Sequence, residues 1–257
     1  MRATFTISML FAGALCLSAQ NVPRMPDGKP NFTGLWQSLG TANWDMEDHS
    51  AKAGPLTQLG AIGATPAGMG IVEGGSIPYQ PAALEQRKKN QASRLKEDPE
   101  AKCYMPGVPR ATYLPFPFQI IQGTDKILIA YEFATSNRTV EMKKHAPAPV
   151  DSWMGWSNGR WEGDTLVIDV TGLNGKTWLD RAGNFVSNKA HIVERYTLSD
   201  ANHIQYEATI EDPTVFTRPW KISLPLYRRV EKNAQLLEFK CVEFAEELLY
   251  GDLTKKK

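Results

Sequence analysis

The strongest constraint on this chain is a period-two alternation of apolar and polar residues. It begins at Pro115 and recurs in separate runs to about Val242. Residues 116–122 and 126–133 flank Gly123-Thr124-Asp125, which reads as a hairpin, and 139–142 continues it. The stretch 160–170 turns at Gly163 and alternates afterwards. Residues 191–198 and 203–210 flank Asp200-Ala201-Asn202 as a second hairpin, and 221–229 with 236–242 predict a third across Asn233. Eight or nine strands with short connections make an antiparallel meander rather than a βαβ alternation. An open sheet of that length exposes two edges, and closure removes them. The expected fold is therefore mainly β, a lipocalin-like closed or nearly closed β-barrel, with a β-sandwich as the alternative.

What precedes the alternation has a different texture. Residues 1–19 carry Arg2, an apolar run from Ala3 to Leu17 and the small residues Ser18 and Ala19, the order of a secretory signal peptide. A lipoprotein anchor at Cys16 is the competing reading, disfavoured by the bulky Leu15 before it. Residues 20–78 are rich in Gly and Pro and read as an irregular arm, with one short strand, Asn31–Trp36, docking on the body. Pro81 opens a helix expected over 81–97 that lies on the surface, its narrow apolar stripe formed by Leu84, Ala92 and Leu95. One domain is expected over 79–250, followed by a basic tail, 251–257, and no later segment reads as a membrane span.

Charge and cysteines narrow the setting. Loss of residues 1–19 removes one of the 29 basic groups and none of the 28 acids, so the mature chain is close to neutral. Neutrality argues against nucleic acid or an anionic membrane as a general partner. Cys16 leaves with the leader, and Cys103 and Cys241 remain as an even pair. In an oxidising compartment they are expected to form a disulfide, two buried thiols being the alternative.

The chemical motifs are weak. Gly155-Trp156-Ser157-Asn158-Gly159 matches a nucleophile elbow, but the elbow needs a strand before it and a helix after it, and here a hairpin follows. His49, His145, His191 and His203 lack metal-ligand spacing, no phosphate-binding glycine loop is present, and the expectation is no metal and no cofactor. One constellation suggests catalysis. Asp180 orienting His191 as a general base, with Arg181 or Arg195 holding a developing anion, suits a cofactor-independent lyase, isomerase or hydrolase. The competing signal is aromatic: Trp153, Trp156, Trp161 and Trp178 lie in or beside predicted loops, and Tyr113 and Phe116 alternate with prolines. At a barrel mouth such rings would line a site for a small apolar or aromatic molecule.

Several segments also belong together. Tyr79-Gln80-Pro81, Asp98-Pro99-Glu100-Ala101-Lys102-Cys103, Gly159-Arg160-Trp161-Glu162-Gly163-Asp164-Thr165-Leu166-Val167, Leu179-Asp180-Arg181-Ala182-Gly183, His191-Ile192-Val193-Glu194-Arg195-Tyr196 and Glu211-Asp212-Pro213 carry a resemblance. From about residue 30 to 245 the chain resembles a large group of exported proteins from environmental bacteria. The resemblance implies a bacterial, periplasmic setting and carries no activity with it. Two readings of function follow from the residues: a periplasmic binder of a small apolar or aromatic molecule, and the Asp–His enzyme. An envelope-interaction role for the Gly-rich arm is a third.

Overall fold

Alternating runs rich in Ile, Val and Tyr form strands because branched and aromatic side chains pack well on a pleated surface. In the computed structural model, which describes residues 22–54 and 57–254, nine such strands close into one barrel. The expected leader, 1–19, and Lys255-Lys256-Lys257 lie outside the described residues. The strands are β1 (Gly34–Ser38), β2 (Phe118–Gln122), β3 (Lys126–Tyr131), β4 (Asn137–Glu141), β5 (Trp156–Glu162), β6 (Thr165–Thr171), β7 (His191–Leu198), β8 (His203–Glu211) and β9 (Trp220–Arg228). Each pairs with the next, and β9 returns to β1 with Trp36 opposite Arg228 and Ser38 opposite Leu226. The mainly β, closed-barrel expectation holds, and the two-sheet sandwich does not form.

Three expectations change. First, the segment expected as an arm supplies β1, which fills the gap between β2 and β9. Second, the meander is not wholly antiparallel, because β4 and β5 run parallel. Residues 142–155 carry the chain back to the end where β4 began, the long return that a parallel pair requires. Third, no third hairpin forms. β9 takes β1 as its partner, while Cys241 is held in a disulfide to Cys103 and Phe239 packs on Phe116 and Phe133 at 5.1 and 4.8 Å. The 229–244 segment is thereby drawn off the barrel edge as an irregular strap.

Helices sit outside the barrel. The expected helix breaks into α1 (Pro81–Ala92) and α2 (Arg94–Glu97) at Ser93, whose hydroxyl bonds back to the carbonyls of Lys89 and Asn90. α1 buries Ala83 and Asn90, whereas Leu84 of the expected stripe is exposed. A short α3 (Arg110–Tyr113) plugs one side of the body, and α4 (Ala245–Thr254) ends the described chain. No helix among the described residues is long and apolar enough to cross a membrane.

The barrel interior is a packed core. Phe118, Ile120, Ile129, Leu166, Ile168, Ile192, Tyr206 and Ile222 are fully buried. Each such side chain contributes roughly 1.5–3 kcal/mol relative to exposure. On β7 the buried positions are Ile192, Glu194, Tyr196 and Leu198, which places a carboxylate inside that core.

Candidate functional site

Glu194 does not stand alone. Arg138, inward on β4, extends through the interior to meet it: Nη1 to Oε2 is 2.5 Å and Nη2 to Oε1 is 3.0 Å. Beside this pair β5 carries a small inward residue, Ser157. Three phenols surround it. Tyr196 and Tyr206 donate to Glu194 Oε1 at 3.0 and 2.8 Å, and Arg138 Nε donates to the Tyr131 hydroxyl at 3.1 Å. Arg138 also donates to Tyr196 at 3.2 Å and to the Ser157 hydroxyl at 3.4 Å. All five guanidinium N–H groups are therefore engaged. Burial alone would lower the Arg138 pKa, but Glu194 with Tyr131 and Tyr196 holds it well above its ordinary value. Burial and the Glu194 charge push the Tyr196 and Tyr206 hydroxyls well above the usual phenol range, so both stay protonated donors.

Arg138 and Ser157 of this cluster reach a cleft at the surface. β4 and β5 pair only at Val140 with Ser157 and Glu141 with Asn158. Before those positions the two strands part, and the gap opens into a cleft of about 670 Å³. Its walls include Met105, Trp153, Met154 and Trp156, and Arg138 and Ser157 form its inner end. Trp153 is half-buried and is braced by the Tyr104 ring at 5.2 Å. Gly155 holds φ +65°, and a Cβ there would meet Thr171 O at 2.8 Å, so only glycine lets the chain turn sharply between the two tryptophans.

The sequence candidates scatter around this arrangement. Of the six aromatic candidates, Trp153 and Trp156 come together at the cleft. Trp161 sits toward the far end of β5, stacked on Phe32 at 6.0 Å, and Trp178 is buried in a loop bridge to Phe185. The Tyr113 hydroxyl donates to Leu179 O at 2.7 Å, and Phe116 lies under the strap. No single aromatic mouth forms, because the barrel centre is filled and the loops carrying these rings leave from different sides.

The Asp180–His191 pair is not made. β7 turns its apolar face inward, so His191 and Arg195 lie on the outer face with Val193. His191 Nε2 lies 3.1 Å from Asp169 Oδ1, and Arg195 pairs with Glu162 at 2.7 Å. Asp180 is fully buried and accepts N–H donors from Met46, Ala182, Asn184 and the Asn184 side chain at 2.6–3.1 Å. Burial and the nearby Asp45 push its carboxyl up to about 7 despite those donors. Every near partner of Asp180 is a structural one, and it ties the 42–47 loop to the 179–184 loop.

Beside Asp180 runs a buried ionic chain. Arg110 grips Asp98 at 2.8 and 3.1 Å and Glu100 at 2.6 Å, and Arg181 holds the same Glu100 at 3.0 and 2.6 Å while lying 4.4 Å over the Trp44 ring. Burial would raise the Glu100 pKa, but Arg110 and Arg181 hold it down to about 2. Arg181 is thus committed to an internal carboxylate and a ring face. Ser157 lies within β5 with no helix after it, which removes the elbow geometry.

Among the described residues no group of three or more His, Cys, Asp or Glu side chains is placed to hold a metal ion. The geometry defines a closed β-barrel with a seam cleft that leads to an internal ion pair. The chain matches no protein-family model and no curated protein.

Sequence reasoning missed Arg138 altogether, and it placed Glu194 on the strand face of Ile192 and Tyr196 but gave the chemical role to His191 and Arg195 on the opposite face. The signal was available: each is a charged residue at a position whose neighbours two residues away, Val140 for one and Ile192 and Tyr196 for the other, face the core.

Proposed function

We propose that the mature chain is an exported β-barrel, periplasmic or secreted, that binds a small apolar or aromatic molecule in the seam between β4 and β5. The observation that carries this reading is the parted β4–β5 seam walled by Trp153, Trp156 and two methionines. Flat rings and soft thioethers favour apolar and aromatic surface without dictating one shape. Export is supported by the leader-like first 19 residues and fits the Cys103–Cys241 disulfide, which persists in oxidising compartments. The near-neutral charge speaks for a small molecule over nucleic acid as partner. No observation favours the Asp180–His191 enzyme, since its two central residues hold other partners.

The test is titration with 1-aminonaphthalene, followed by fluorescence. Wild type is expected to bind it, Trp153→Ala to lose about tenfold or more in affinity, and Trp161→Ala to bind as wild type does. Packing of the probe on the Trp153 ring is worth roughly 1–3 kcal/mol. Equal effects of the two variants, or no binding by wild type, would remove the seam as the site.

A further inference from the structure

Independently of the seam, we infer a second site that binds a small aromatic monocarboxylate, with Glu246 of α4 as its built-in competitor. The site lies between α2, the 229–244 strap and the start of α4, and none of its lining residues lines the seam cleft. A cavity of about 280 Å³ remains open there. Phe116, Phe133 and Phe239 form one wall, three rings in mutual contact with centroids 4.8–5.6 Å apart, and Leu95 extends the apolar lining. The Cys103–Cys241 bridge fastens the strap that carries Phe239. Such a wall offers its surface to the ring of a ligand.

The polar end consists of two arginines around one carboxylate. Arg94 Nη2 lies 3.1 Å from Glu246 Oε2 and Nη1 lies 3.5 Å from Oε1, while Arg181 Nη1 lies 4.0 Å from Glu246 Oε1. Arg181 is held in place, because Nε and Nη2 bond to Glu100 at 3.0 and 2.6 Å and the guanidinium lies 4.4 Å over the Trp44 ring. Its Nη1 is left with no hydrogen bond among the described residues. Guanidinium forks placed in this way recognise a planar carboxylate. The charges call for one negative group and no more. Asp98 and Glu100 are matched by Arg110 and Arg181, Lys240 at the rim pairs with Glu238, and Arg94 is left facing Glu246.

Glu246 fills that position weakly. Its side chain is 47% exposed, and an ion pair so open to water adds little stability. α4 is lightly docked as well, with Leu248 and Leu249 turned to solvent. A ligand carboxylate joined to a ring adds burial against the three phenylalanines, a contact that a glutamate side chain does not make, and so displaces Glu246.

The experiment titrates 3-phenylpropanoate and its uncharged counterpart 3-phenylpropanamide into the purified, disulfide-bonded protein by calorimetry. Wild type is expected to bind the carboxylate about tenfold or more tighter than the amide. Glu246→Gln removes the competing charge and is expected to tighten the carboxylate about fivefold or more while leaving the amide within about twofold. Arg94→Met is expected to bring the two probes within about twofold of each other, and Trp153→Ala to bind both as wild type does. Equal affinities of the two probes for wild type, or no binding at millimolar concentration by wild type and Glu246→Gln alike, would overturn the inference. A carboxylate affinity that is unchanged or weaker in Glu246→Gln would overturn it too, since a purely structural ion pair predicts that result. Loss of carboxylate binding in Trp153→Ala would assign the probe to the seam and remove the second site. Glu246 is half-exposed, and the wild-type comparison of the two probes stands whether or not the variants fold.

Discussion

Arg138 on β4 crosses the barrel interior to grip Glu194 on β7 through two N–H···O contacts of 2.5 and 3.0 Å, with both side chains buried. A buried pair of this kind adds little net stability over an apolar replacement, but removing one partner strands the other's charge. Glu194→Gln is therefore expected to cost roughly 3–5 kcal/mol, and Arg138→Met combined with Glu194→Leu to recover most of that loss. Urea unfolding of Glu194→Gln and of the double variant measures it. A Glu194→Gln cost below about 1 kcal/mol would show that the charge is not held as described.

Two carboxyl groups outside the barrel, Glu100 and Asp180, act on stability with opposite signs. Glu100 is depressed from 4.5 to about 2, so its contribution is complete above pH 4.5 and is lost as pH falls toward 2. That shift is worth about 3 kcal/mol. Asp180 is raised from 3.8 to about 7, so its contribution is complete below pH 3.8 and is lost as pH rises through 7. From these two groups stability peaks between about pH 4 and 5. Unfolding free energies across pH 2–8 test this, and Glu100→Gln is expected to flatten the acid limb. An unchanged acid limb in that variant would contradict the assignment.

Cys103 and Cys241 close a loop of 138 residues and fasten the strap over Phe116 and Phe133. Replacing both by Ser is expected to cost roughly 2–5 kcal/mol, lowering Tm by about 5–15 °C. It should also expose the phenylalanine cluster to a hydrophobic dye. Thermal unfolding and thiol counting before reduction check both statements, and two alkylatable thiols in unreduced unfolded protein would contradict the bridge.

Gly183 holds φ +85°, and a Cβ there would come within 2.7 Å of both Arg87 O and Gln91 N of α1. Gly183→Ala is expected to destabilise by roughly 2–4 kcal/mol, combining left-handed backbone strain with displacement of the helix. A loss under about 1 kcal/mol in chemical unfolding would mean that α1 can lift away freely.

Much of the barrel is legible in the sequence because β6 through β9 alternate cleanly between turn-forming clusters at Gly163 and Asp200-Ala201-Asn202. The pairing of Cys103 with Cys241 is equally plain from their number. β1 reads as a docked fragment because Gly34–Ser38 is five residues in a Gly- and Pro-rich setting, and only the gap between β2 and β9 makes it a wall strand. The parallel β4–β5 seam is hidden because a crossover of loop residues leaves no periodic trace. On β7 the reactive residue types His191 and Arg195 point to the wrong face. The bulk of Ile192, Tyr196 and Leu198 decides which face turns inward, and it takes Glu194 with it.

The central claim is that the β4–β5 seam holds a small apolar or aromatic molecule, and native mass spectrometry tests it most directly. Wild type and a Trp153→Ala, Trp156→Ala double variant would be purified from the native host, weighed intact and then denatured to identify any released compound. A stoichiometric adduct is expected on wild type, released as a ring-bearing small molecule, and a bare polypeptide mass is expected for the double variant with the fold retained. An adduct retained in full by the double variant, or a bare mass for wild type, would contradict the claim.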